Sequence, residues 1–64
     1  MSNDNDWVTT YDEGFVTGLN EGLADMIYCK ENRKLKKSAF ITNNEARMGF
    51  EDGYDEGYNY EEED

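Results

Sequence analysis

Gly14-Phe15-Val16-Thr17-Gly18-Leu19-Asn20-Glu21-Gly22-Leu23 returns 35 residues later as Gly49-Phe50-Glu51-Asp52-Gly53-Tyr54-Asp55-Glu56-Gly57-Tyr58. The shared pattern is G-F-x-x-G-(L/Y)-(N/D)-E-G-(L/Y), and the two copies hold all six glycines of the 64-residue chain. A period of four, with a large apolar residue after each glycine, makes a stripe along a helix. On a strand the glycines and the apolar residues that follow them would scatter over both faces. The repeat therefore predicts two helices and an all-α fold.

The flanking sequence extends the stripes. Tyr11, Phe15, Leu19, Leu23 and Ile27 form one, with Met26 beside it; Ala46, Phe50, Tyr54 and Tyr58 form the other. Thr10-Tyr11-Asp12-Glu13 and Thr42-Asn43-Asn44-Glu45 both fit the capping box, in which Thr and Glu satisfy free backbone donors at a helix start. These signals place helices at about 10–30 and 43–59. They leave an N-terminal arm at 1–9 and a loose acidic tail at 60–64, all within one small domain spanning 1–64.

Glycine inside a helix costs about 0.8–1.0 kcal/mol relative to alanine. A four-residue period of such costs calls for a compensating contact, and close backbone approach supplies one. Gly14, Gly18, Gly22, Gly49, Gly53 and Gly57, with Phe15, Leu19, Leu23, Phe50 and Tyr54, are the expected packing residues of an antiparallel helical hairpin. Membrane helices use similar small-residue spacing, but the interleaved Asp and Glu exclude lipid here.

Sixteen acids against six bases give a net charge of −10, with no histidine and no proline. The charge is segregated. Residues 1–29 carry only acids, residues 30–42 are basic through Lys30, Arg33, Lys34, Lys36 and Lys37, and residues 43–64 carry nine acids against Arg47. The basic connecting segment is expected to cap the first helix and offset repulsion between the acidic halves, with Phe40 and Ile41 packing back on the hairpin. Such a charge repels nucleic acid and anionic membrane and favours a basic protein partner.

With the glycines turned inward, Glu51, Asp52, Asp55 and Glu56 form two adjacent outward rows. Glu21 and Asp25 from the first helix, and Tyr60, Glu61 and Glu62 at the end of the second, complete the expected partner-binding set. Carboxylates one turn apart lie about 6 Å apart along the axis, which is of the order of the phosphate spacing in a nucleic-acid strand. Tyrosine beside a carboxylate suits arginine, which pairs with the one and stacks on the other.

Other chemistry finds little footing. The chain lacks histidine and has one cysteine, Cys29, so zinc is not expected. The acidic spacing does not match a calcium-binding loop. No nucleophile–base pair or phosphate loop leads to catalysis, and no cofactor is expected. Cys29 reads as a buried, inert thiol. The polar start is unlike a signal peptide and no segment is long and apolar enough to cross a membrane, so a cytoplasmic protein is expected.

In size, charge and helical pattern the chain resembles the small acidic proteins with which phages inhibit host nucleic-acid enzymes, including anti-restriction proteins and anti-CRISPRs. That resemblance is one of composition, and it implies a host nuclease, restriction or CRISPR effector, or transcription factor as partner. Gly14-Phe15, Gly18, Cys29 and Gly49-Phe50 also fall in an order similar to ribosome modulation factor, a short helical hairpin. That family is basic, so the resemblance implies a fold and not an RNA-binding role. The reading from sequence is a non-enzymatic inhibitor with a phosphate-like carboxylate face. Its alternative is a self-assembly module built on the glycines and tyrosines, forming a homo-oligomer.

Overall fold

The computed structural model describes residues 8–60. Its elements are α1 (Tyr11–Ile27), α2 (Lys34–Ser38) and α3 (Asn44–Tyr58), with no strand among the described residues. The two long helices pack together and lie inside the spans expected at 10–30 and 43–59. The five-residue α2 is an addition, since that segment was expected only as a basic connection.

Local chemistry sets the helix ends. Thr10 has extended backbone, and its hydroxyl accepts from the Glu13 N–H at 3.1 Å. Glu13 reaches back as a capping box requires, but to the Thr9 N–H at 3.0 Å and not to that of Thr10. This bond holds the Glu13 carboxyl below its ordinary value against a smaller opposing effect of burial. At α3 the cap is Asn43 and not Thr42: its side chain accepts from the Ala46 N–H at 3.1 Å. The Arg47 guanidinium then grips the Ile41 carbonyl with two donors, at 2.9 and 3.1 Å, and fixes the turn entering α3.

α1 closes through backbone hydrogen bonds, with no basic side chain in its last turn. Lys30 N–H donates to the Asp25 carbonyl at 2.8 Å and Cys29 N–H to that of Met26 at 3.2 Å. These are the two bonds of a Schellman motif. Cys29 occupies the left-handed position, with φ of 58°, where glycine is usual. It is also exposed, which corrects the expectation of a buried thiol.

The direction of packing corrects a second expectation. Gly14 faces Ala46, Gly18 faces Phe50 and Gly22 faces Tyr54, while Gly49, Gly53 and Gly57 face the backbone beginning at Tyr11, Phe15 and Leu19. Partner numbers rise together, so α1 and α3 run parallel and do not form an antiparallel hairpin. The connection makes this possible. α1 is about 25 Å long at 1.5 Å per residue, and the sixteen residues 28–43 can span about 50 Å when extended. They return the chain to the starting end.

In this register each glycine meets the carbonyl three residues before its counterpart in the other helix, and the relation holds at all six positions. The 35-residue sequence repeat is thus an approximate two-fold axis running along the helix pair. A Cβ at any of the six would overlap that carbonyl oxygen. At Gly18 it would also lie 2.8 Å from the Phe50 carbonyl carbon, and at Gly53 2.9 Å from the Leu19 nitrogen.

The core is small and one-sided. Val8, Ile41, Ala46, Phe50 and Tyr54 are buried, and Tyr58 packs against them. The rings of Phe50, Tyr54 and Tyr58 stack in series, at 6.2 and 5.7 Å between centroids. Val8 belongs to this core, although the sequence placed it in the arm 1–9. Ile41 packs as expected, whereas Phe40 stays 68% exposed. In α1 the buried residues are the three glycines and Asp25. Phe15, Leu19 and Leu23 are only half-buried, and Ile27 is exposed.

Candidate functional site

The connecting segment sorts the carboxylates into two groups. Lys34 Nζ lies 3.0 Å from Asp55, and Lys37 Nζ lies 2.6 Å from Glu21 and 3.2 Å from Asp25. Ser38, buried at the end of α2, donates to Glu51 at 3.1 Å. Four residues of the expected partner-binding set are therefore engaged by the connecting segment. Asp25, 3% exposed, is no part of an outward face. Lys34 and Lys37 bridge to carboxylates of α3 and α1, which fits the expected offsetting of charge between the acidic halves. They do not cap α1, which corrects the other role expected of the basic segment.

Asp25 is the centre of this network. Its carboxylate accepts from the Tyr54 hydroxyl and from Lys37, and the Tyr54 oxygen in turn accepts from the Arg33 N–H at 3.0 Å. Burial pushes the Asp25 carboxyl up, but the Tyr54 and Lys37 hydrogen bonds and the charges of Lys37 and Arg33 outweigh it. The net direction is down. Burial likewise opposes the Lys37 charge, and Glu21 and Asp25 more than restore it, so its ammonium is raised. Burial, with Asp25 alongside, raises the Tyr54 hydroxyl. Low local polarity strengthens such bonds and penalises any member left alone. The arrangement fits a structural tie among α1, α2 and α3.

The second group faces out. Asp52 and Glu56, one turn apart on α3, are exposed, as is Glu45 on the same side of that helix. Among the described residues no lysine or arginine reaches this row; its one partner is the Tyr11 hydroxyl, which donates to Asp52. That bond is the main reason the Tyr11 hydroxyl holds its proton more tightly than usual. Tyr60 is exposed nearby in sequence. Glu61 and Glu62 lie outside the described residues.

Sequence reasoning did not single out Ser38, Arg47, Val8 or the roles of Lys34 and Lys37. Only the charge of the lysines gave a signal, and it did not say which carboxylates they would meet. An open recess of about 210 Å³ lies between Thr17, Glu21, Lys37, Phe40 and Phe50. Among the described residues no group of three or more Asp, Glu, Cys or His side chains gathers as a metal site. No helix there is long and apolar enough to cross a membrane.

Together these features define a small all-helical protein with a parallel, glycine-packed helix pair, one covered flank and one acidic open flank. Compared with family models, with curated proteins and with solved structures, the chain gives no match.

Proposed function

We propose that this is a non-enzymatic acidic binding protein that acts in the cytoplasm by occupying the nucleic-acid-binding surface of a basic protein. The observation that carries the reading is the exposed row Asp52/Glu56. The lysines of the connecting segment reach Glu21, Asp25 and Asp55, and none reaches this row. One-turn spacing approximates that of phosphates, and Tyr11 and Tyr60 stand by for arginine. A phage inhibitor of a host nuclease, restriction or CRISPR effector, or transcription factor fits this chemistry.

The Gly-xxx-Gly-xxx-Gly ladders serve in this reading as the packing device of the domain, supported by the overlap any Cβ would create. That use weakens the self-assembly alternative, because all six glycines already face backbone of their own chain. The test is competition. A target captured at low salt is bound to the protein and challenged with its DNA or RNA, using wild type and a variant carrying Asp52→Asn and Glu56→Gln. The nucleic acid should displace wild type, and binding of the variant should be weaker, by up to about 2 kcal/mol for each desolvated pair lost. Simultaneous binding of nucleic acid and protein, with the variant as tight as wild type, would refute the mimic.

A further inference from the structure

The approximate two-fold axis makes a comparison between flanks. On one flank, Phe50, Tyr54 and Tyr58 of α3 are covered by the chain's own segment 30–41, with Val8 in the same buried cluster. The counterparts on the other flank are Phe15, Leu19 and Leu23 of α1, which are only half-buried, with exposed Val16 beside them. The covered flank is edged by Thr17 and Glu21 of α1, and Glu21 receives Lys37. Moving each by 35 residues gives Asp52 and Glu56 of α3. The Tyr11–Asp52 hydrogen bond and the neighbouring Tyr11 and Phe15 rings, 6.2 Å apart, put that edge beside the α1 stripe. The open flank thus repeats the covered one: an apolar strip with a carboxylate edge, with no occupant among the described residues.

We propose that the open flank is a docking surface for an amphipathic helix of a partner protein. Its apolar face would lie on Phe15, Leu19, Leu23 and Val16, and Lys or Arg along one edge would meet Asp52 and Glu56. The occupant's chemistry follows from charge complementarity and from the segment that fills the equivalent flank. There a buried Ile41 supplies the apolar anchor and Lys37 meets Glu21. The flanks also differ in a way that specifies the occupant. Asp55, which takes Lys34, is replaced by Asn20, and Glu51 is replaced by Val16. The partner helix therefore carries cations on its α3 side only and apolar residues toward α1. This deepens the reading of an acidic binding face and rests on it only for the row Asp52/Glu56.

The probe is a synthetic peptide with the sequence of residues 30–42 carrying Lys34→Leu, titrated into the intact protein and followed by backbone amide NMR shifts. Its control keeps the charge and replaces Ile41, the buried anchor of the covered flank, with Ser. The first peptide should bind saturably, with shifts at Phe15, Val16, Leu19, Leu23, Asp52 and Glu56. The control should bind more than about tenfold more weakly, from the loss of buried apolar contact. Glu56→Gln should weaken binding about threefold, as an exposed ion pair does, and Leu19→Ser should abolish it. The exposed Glu56 change keeps the test valid if Leu19→Ser disturbs folding. Shifts at Glu21, Phe50 and Tyr54 instead would mean displacement of the chain's own segment and would overturn the proposal. Equal binding of both peptides would also overturn it while leaving the charge-based mimic intact. Absence of binding would overturn it as well, and the nucleic-acid competition above would then decide the mimic separately.

Discussion

At single residues the fold makes opposite demands on glycine. Cys29 sits at φ of 58° in the closing turn of α1, a region that costs an L-residue about 1 kcal/mol. Cys29→Gly should therefore stabilise the protein by about 1 kcal/mol, seen as a higher thermal midpoint; an unchanged or lower midpoint would count against the left-handed closure. At Gly18 and Gly53 the sign reverses. Alanine would gain about 1 kcal/mol of helix propensity, yet its Cβ would overlap a carbonyl of the facing helix. Overpacking of this kind costs about 1–3 kcal/mol or more, so Gly18→Ala and Gly53→Ala should lower the midpoint. Asn20→Ala, at an exposed position of α1, should leave or raise it. If all three behave alike by circular dichroism, the glycines have no packing role.

At the level of elements, the tie between α2 and the long helices sets a dependence on pH. The Asp25 carboxyl is depressed in the folded state. Its stabilisation is therefore complete above the unfolded value of about 3.9 and is lost as pH falls through the lower folded value. Relief of self-repulsion acts the other way, since net charge shrinks from −10 toward the pI near 4.1. Helicity should hold or rise from pH 7 to about 4.5 and fall below about 4. The raised Lys37 and Tyr54 groups act at the other end. Their contribution is present below about pH 10 and is lost as pH rises through their folded values. Asp25→Asn should shrink the acid transition, leaving the part carried by the depressed Glu13, and lower stability at pH 7, because it leaves the Lys37 ammonium with one carboxylate fewer. An acid limb unchanged in this variant would show that other groups carry it.

The same elements show what the sequence could disclose. Helix positions were legible because a four-residue period and two capping signals act locally. The cap at α3 moved by one residue because Asn43 competes with Thr42 for the same role, and Asn is the stronger cap. Exposure of Cys29 was not legible, since a positive φ there arises from the closing hydrogen bonds of the turn. Nor were the engaged carboxylates. Glu51 and Asp55 read as outward on an isolated helix, but which side counts as outward depends on where residues 33–38 lie. Asp52 and Glu56 stayed exposed because that segment covers only one flank.

For the molecule as a whole, direction is the least local property and the one misread. Two successive helices suggest a hairpin, and the glycine pattern suits close packing in either direction. What discriminates is the identical order of the repeats, which in a parallel pair brings equivalent residues side by side at a constant offset of 35. The open flank, with its expected partner helix, depends on this parallel two-fold arrangement. A nuclear Overhauser experiment on the intact protein tests it directly through the glycine α protons. Parallel packing gives cross-peaks from Gly14 to Ala46 and Gly49, and from Gly22 to Tyr54 and Gly57. Cross-peaks from Gly14 to Gly57 and from Gly22 to Gly49 would establish the antiparallel pair and remove the two-fold relation between the flanks.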